Sequence, residues 1–336
     1  MGQQYFARLF DMITKILCLS DGRPGNQRPL ELLCSELSKH FQAEQAHLKV
    51  DKTPWRRLGN QLESTLLGLA PKHISEIIGH LPPHADKKML VITCGRTALP
   101  YGRFLQRQHR VKLVHILNPY GNVKQFDAVV LPKHDRITGP NIVHYQLGLT
   151  QKPRPNDASV SFMKNLPNGP ILALIVGGSN AHQHISTEDI QMWKMAIRKH
   201  MPDLAGLAIT FSRRTQPETK TQVLEAFSDY PCCFYDGKGP NPYPGFLALA
   251  SHAAVTIDSM NMLADVAASK CPMMLLSVSG SQPKFDAVVE NLMAKGRAGH
   301  LSFGSNVTAW DELPEVAQTV ASLLLGNQTK AVTTHD

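Results

Sequence analysis

Short apolar runs alternate with longer amphipathic segments along almost the whole chain. Residues 15–19 form the first run, and the stretch behind it carries Leu30, Leu33, Leu37 and Phe41 at helical spacing. Runs at 47–50, 89–94, 111–117 and 126–132 repeat the strand pattern. The segment 55–78 reads as one or two amphipathic helices with Leu58, Leu62, Leu66, Ile74 and Ile78 on the apolar side. Short apolar runs separated by helices predict a parallel sheet covered on both faces. Residues 153–169, rich in Pro, Asn, Lys and Ser, show neither period and are expected to be a linker. The alternation restarts at 171–176 and continues through 207–211, 232–235, 253–257 and 273–277 to a last helix near 311–325. The predicted fold is α/β: two tandem Rossmann-like domains, 1–152 and 170–336, with a cleft between them.

A chain of 336 residues is long for a single core, which agrees with two domains. With 43% hydrophobic and 18% charged residues, and no apolar run near eighteen residues, a soluble protein without a membrane span is expected. The first residues lack a secretion-signal pattern, and Phe6 stands where myristoylation wants Ser or Thr. Six cysteines without zinc-ligand spacing read as reduced core thiols, so the expected location is cytoplasmic and no metal site is expected. Charge changes the picture more. Residues 1–150 hold 20 Lys and Arg against 11 Asp and Glu, and the remainder hold 15 against 16, giving the net +8. A basic first half suits an anionic acceptor or the inner membrane surface. No recognised nucleic-acid motif occurs, so nucleic acid is not an expected partner.

The chemistry is expected where strands end. Gly177-Gly178-Ser179 offers backbone N–H groups without Cβ obstruction, as a diphosphate cradle requires. Ser212, Arg213 and Arg214 add hydroxyl and guanidinium donors. Asp258 and Ser259 stand where a helix begins, Met262 lies on its apolar side, and Asp258 and Asp265 can accept from sugar or ribose hydroxyls. The plainer alternatives are a turn at the glycines, surface charge at the arginines and a helix cap at Asp258-Ser259. Asp21 at the first strand end is a candidate general base, or the cap of the next helix. His134 is the other acid/base candidate, with Asp135 beside it. There is no G-x-G-x-x-G, no P-loop and no Asp-x-Asp pair. Helix N-termini and Arg are therefore expected to meet a diphosphate without metal or cofactor.

The segments 20–27, 95–97, 126–135, 139–141, 177–179, 212–215 and 258–262 together resemble the ELM-like "mitochondrial fission protein" family, in its bacterial form. They occur in the family's order over nearly the whole chain, apart from residues 1–11. That family is similar to GT-B glycosyltransferases, whose second domain holds a nucleotide sugar. The resemblance implies Gly177, Gly178, Ser179, Ser212, Arg213, Arg214, Asp258, Ser259, Met262 and Asp265 on the donor side. It places Gly22, Arg23, Asn26, Gln27, Arg96 and Thr97 with an acceptor. The chain carries Asp265 where the family pattern has Glu, one methylene shorter. The function expected is sugar transfer from a nucleotide diphosphate to an acceptor that is anionic or held at a membrane. The alternatives are a non-catalytic GT-B-like adaptor for a protein partner, related to the mitochondrial fission factors from which the family takes its name, and a sugar-nucleotide epimerase.

Overall fold

The computed structural model describes residues 13–53, 65, 67, 77, 79, 88–180, 182–280 and 283–326. Most of the 55–78 amphipathic segment lies outside these residues. The chain divides into two compact units, one of residues up to Leu149 together with those from Glu312 on, the other Thr150–Asp311.

The first unit is built on β1 (Lys15–Ser20), β2 (Glu44–Lys49), β3 (Met89–Cys94), β4 (Lys112–Ile116), β5 (Ala128–Pro132) and β6 (Ile142–Tyr145), with α1 (Pro24–Phe41) and α2 (Leu99–His109). All six strands are parallel, in the order β2-β1-β3-β4-β5-β6. The chain leaves β1 towards β2, then crosses back to β3, so the order reverses between β1 and β3. β1, β3 and β5 are apolar on both faces because each face is covered. Ile16 and Cys18 pack under Leu30, Leu33 and Leu37 of α1, while Leu17 and Leu19 belong to the opposite core with Leu99 and Phe104.

The second unit repeats the plan with β7 (Ile171–Val176), β9 (Gly206–Phe211), β10 (Cys232–Tyr235), β11 (His252–Thr256), β12 (Met273–Leu276) and β14 (Ala298–His300), parallel and ordered β10-β9-β7-β11-β12-β14. Its helices are α3 (Asp157–Met163), α4 (Thr187–His200), α5 (Pro217–Ala226), α6 (Tyr243–Leu249), α7 (Met260–Ala267) and α8 (Pro283–Ala294). A two-stranded antiparallel piece joins β8 (Gln183–His184) to β13 (Ser279–Gly280). Here the order reverses between β7 and β11, the place where open α/β sheets take ligands.

Three boundaries differ from the sequence reading. The expected linker contains α3, which Asn156 and Ser159 start with a reciprocal capping box, and it belongs to the second unit. The last helix, α9 (Leu313–Leu324), belongs to the first unit: Leu313, Val316, Ala317 and Val320 join the core under α1. Glu312 pins its start by accepting the N–H groups of Gln146 and Leu147 at 2.8 Å each. Helix periodicity alone cannot say which of two sheets an amphipathic face will cover. Third, the loop expected over 20–27 is shorter, because α1 begins at Pro24, whose fixed φ suits a first helical turn. Asn26 and Gln27 are therefore helical. Among the described residues no helix is long and apolar enough to cross a membrane.

One buried group couples this fold to pH. His115 on β4 is fully buried; its Nδ1 lies 2.7 Å from Thr93 Oγ1 and its Nε2 has no partner among the described residues. Burial pushes its pKa down to about 3. The unfolded chain takes up a proton near pH 6.5 and the folded one does not, so stability is full above that value and falls as pH drops towards 3. Between pH 7 and pH 5 this group alone is expected to remove about 2 kcal/mol. Urea titrations of the parent protein and His115→Gln across that range should show the variant's slope flattened; parallel slopes would contradict it.

Candidate functional site

Three neighbouring strands of the second unit, β9, β7 and β11, end beside one another, and a single buried carboxylate ties their loops together. Asp258, 3% exposed, accepts the Gly178 N–H at 2.9 Å, the Thr256 hydroxyl at 2.6 Å and Arg214 Nη2 at 2.9 Å. Thr256 in turn accepts the Gly177 N–H at 2.8 Å, and Thr215 donates to the Gly177 carbonyl. Ser212 accepts the Arg214 N–H at 3.1 Å and lies 3.2 Å from Thr215 Oγ1. The approach is so close that only glycine fits at either loop position. A Cβ on Gly177 would sit 1.9 Å from Asp258 Oδ1, and one on Gly178 would sit 2.3 Å from the Arg214 backbone.

Beside this locked centre stand donors without partners among the described residues. Ser259 occupies the N-cap position of α7 in extended conformation, but its side chain caps nothing. The side chains of Ser179 and Ser259 are half-buried, Arg213 is exposed, and none of the three makes a side-chain hydrogen bond or ion pair with the described residues. The first N–H groups of α7 point out of the helix start with the positive end of its dipole. Met262 is half-buried on that first turn. The sequence put Arg213 and Arg214 side by side without ranking them. The structure separates them: Arg214 braces Asp258, and Arg213 has no side-chain partner among the described residues.

Asp265 lies in the second half of α7 and is buried. Its carboxylate accepts the Thr150 hydroxyl at 2.6 Å and the Tyr243 hydroxyl at 3.1 Å.

The first unit carries a smaller version of the same arrangement at its own reversal point. Asp21 follows β1; it accepts Asn26 Nδ2 at 3.0 Å, the Arg23 N–H at 3.2 Å and the Thr97 hydroxyl at 3.4 Å, with Arg23 Nε at 3.5 Å. Thr97 stands in the loop after β3, so Asp21 ties the two strand ends as Asp258 does. Burial raises the Asp21 carboxyl, but the hydrogen bonds from Asn26 and the Arg23 N–H, with the Arg23 charge, hold it below the ordinary carboxylate range. That makes it a weak base. Gly22 donates to Ser20 Oγ at 3.2 Å, and Ser20 bonds Gln27. Arg96 is exposed. His134 is not with this group. It follows β5, three strand spacings of about 4.8 Å from β1, and its Nε2 lies 3.8 Å from Asp135 Oδ1, too far for a hydrogen bond.

Sequence reading passed over Thr256, Tyr243 and Thr150, the groups that hold Asp258 and Asp265. A hydroxyl residue closing an otherwise apolar strand, as Thr256 closes β11, was the available signal.

Two six-stranded parallel sheets, each covered by helices and each with an aspartate at its reversal point, define a GT-B-like α/β protein. The chain belongs to the Mitochondrial fission ELM1 family, whose family model matches residues 24–324. It is 26% identical to an uncharacterized protein of Rickettsia prowazekii, over 77% of this chain and 82% of that protein. It is 22% identical to mitochondrial fission protein ELM1 of Arabidopsis thaliana, over 63% of this chain and 56% of the plant protein, so it spans little more than half of that relative. Among solved structures it is similar to the UDP-GlcNAc 2-epimerase of Neisseria meningitidis bound to UDP-GlcNAc, with TM-score 0.51 and 10% identity over 94% of this chain and all of that one. The UDP-GlcNAc 2-epimerase of Methanocaldococcus jannaschii gives TM-score 0.51 and 12% identity over 93% and 92% of the two chains. At such identities the likeness is one of fold.

Proposed function

We propose that the second unit binds the diphosphate of a nucleotide sugar at the ends of β7 and β11, and that the protein transfers the sugar to an acceptor. One observation carries the reading. At the reversal point of the sheet, Asp258 fixes the loops from inside, while the Ser179 and Ser259 hydroxyls, the Arg213 guanidinium and the opening N–H groups of α7 have no partners among the described residues. Hydroxyl, guanidinium and helix-opening N–H groups are the donor types that bind a diphosphate. A helix N-terminus and an arginine also stabilise a departing nucleoside diphosphate without a metal ion. UDP is the first nucleotide to try, because the Neisseria structure of the same fold holds UDP-GlcNAc. In the first unit, the Asp21 loop, with Arg23 and the exposed Arg96, is the surface assigned to an anionic acceptor.

A second reading has its own support. Asp21 is engaged by four groups and held ionised, and Asp265, the residue expected on the ribose, is engaged by Thr150 and Tyr243. A protein that binds a partner and catalyses nothing, as an adaptor, would have no need to leave either carboxylate free. A nucleotide panel separates the two. Saturation with the correct diphosphate at about 100 times Kd is expected to stabilise the protein by roughly 2.7 kcal/mol. Arg213→Ala and Ser259→Ala should each lose most of that stabilisation while melting like the parent when unliganded. No stabilisation by UDP, ADP or GDP at several millimolar would overturn the donor reading and leave the adaptor.

A further inference from the structure

We propose that Cys18, Cys34 and His47 form a binding site for a thiophilic divalent metal ion of the zinc class, separate from the strand-end loops. The three residues come from three elements and meet only in the fold. Cys18 and His47 are register partners on the parallel pair β1 and β2. Alternation along β1 turns Cys18, with Ile16, towards α1. The same alternation places His47 and Gln45 together on one face of β2. Cys34 comes down from α1 over this seam, and its Sγ lies 3.2 Å from Gln45 Oε1. His47 Nε2 lies 3.4 Å from the same oxygen. One ligand atom of each of Cys18, Cys34 and His47 lies within 4.8 Å of the other two.

Two thiols alone would be ordinary core. The imidazole and the amide oxygen beside them are not, because β2 is the edge strand of the sheet and His47 is exposed. A tetrahedral zinc ion with bonds of about 2.0–2.3 Å places its ligands roughly 3.5–3.8 Å apart. Atoms that lie within 4.8 Å of one another therefore need to close by at most about 1.3 Å to reach that spacing. Two thiolates and one imidazole make a three-residue zinc set, and Gln45 Oε1 or a water completes it. Binding exchanges two S–H protons for two metal–sulfur bonds, and the protons go to solvent. Burial and the neighbouring Cys34 disfavour a Cys18 thiolate, and a divalent cation reverses that preference. Residues 18, 34 and 47 share no short ligand spacing, so the set is visible only in the fold.

Cobalt(II) titration of the full-length reduced protein tests the site, with zinc(II) as competitor. The expected result is one tetrahedral cobalt per chain with a sulfur-to-metal charge-transfer band, lost on adding zinc. Zinc should also protect two thiols from a thiol-reactive dye. Cys34→Ser should abolish the charge-transfer band. His47→Ala, a change at an exposed edge position that leaves the core intact, should weaken binding at least tenfold. Cys232→Ser should change nothing. Absence of a charge-transfer band in the parent protein, or a band unaffected by both Cys34→Ser and His47→Ala, would overturn the proposal.

Discussion

Asp258→Ala is expected to destabilise the protein by about 3–4 kcal/mol and to abolish nucleotide binding. Removing the carboxylate strands the Gly178 N–H and the Thr256 hydroxyl in a buried setting, each at about 1–3 kcal/mol. Arg214 adds little to the sum, since its side chain is 43% exposed and returns to water. The loss of binding has a separate cause: without Asp258 the Gly177-Gly178 loop keeps only the Gly177 N–H bond to Thr256 at the end of β11, and the bonds that join Gly178 and Arg214 through one carboxylate are gone. Asp258→Asn keeps an acceptor for Gly178 but presents an NH2 where one of the other donors stands, so a cost of about half is expected. Denaturant midpoints for the two variants check the order, and near-parent stability in Asp258→Ala would remove the carboxylate from the centre of the account.

Arg297→Met should be as damaging, about 3–5 kcal/mol, although the residue lies far along the chain from any candidate site residue. Arg297 is 1% exposed and has no carboxylate partner among the described residues. Its guanidinium instead donates to the carbonyls of Val266 (2.9 Å), Ala267 (3.1 and 3.3 Å), Ser269 (2.9 Å) and Cys271 (2.9 Å). Those carbonyls close the C-terminal end of α7, where the helix dipole favours a cation. Burial lowers the Arg297 pKa, yet the group stays charged because its ordinary value is so high. Methionine keeps most of the volume but removes every Arg297 donor: Val266 keeps the Ser269 hydroxyl and Ala267 keeps the Trp310 N–H, while the Ser269 and Cys271 carbonyls lose the guanidinium with nothing to replace it. Arg297→Lys should recover only part of the loss, since one ammonium has three donors for four carbonyls. Since α7 carries Ser259 on its other end, the same variants should weaken nucleotide binding as well. Thermal unfolding of both would check the magnitudes, and a midpoint for Arg297→Met within a degree or two of the parent would contradict them.

Much of this architecture was legible in the sequence because parallel strands buried on both faces read as continuous apolar runs. Residues 171–176, 207–211 and 253–257 did so, and the turns after them placed Gly177-Gly178, Arg213-Arg214 and Asp258-Ser259 at neighbouring strand ends. What the runs could not show was direction at short range. Which arginine turns in, which hydroxyls hold Asp265, and whether Asp21 is free or engaged all depend on contacts between segments apart in the chain. Arg297 is the extreme case. Nothing in Lys295-Gly296-Arg297 marks a buried cation, because its partners are carbonyls of a helix about thirty residues earlier. The membership of α9 failed for a related reason: an amphipathic helix specifies a face to bury, not the sheet that will bury it.

The central claim is that a nucleoside diphosphate docks on the loops Asp258 holds together, and amide chemical shifts during a UDP titration test it most directly. Binding as proposed moves the backbone amides of Gly177, Gly178 and Ser179 and those opening α7 from Met260 to Met262, with saturation, and Arg213→Ala shifts the midpoint to higher UDP concentration. If those amides stay fixed at millimolar UDP while others move, or if Arg213→Ala leaves the titration unchanged, the diphosphate does not bind where the free donors stand and the account is wrong.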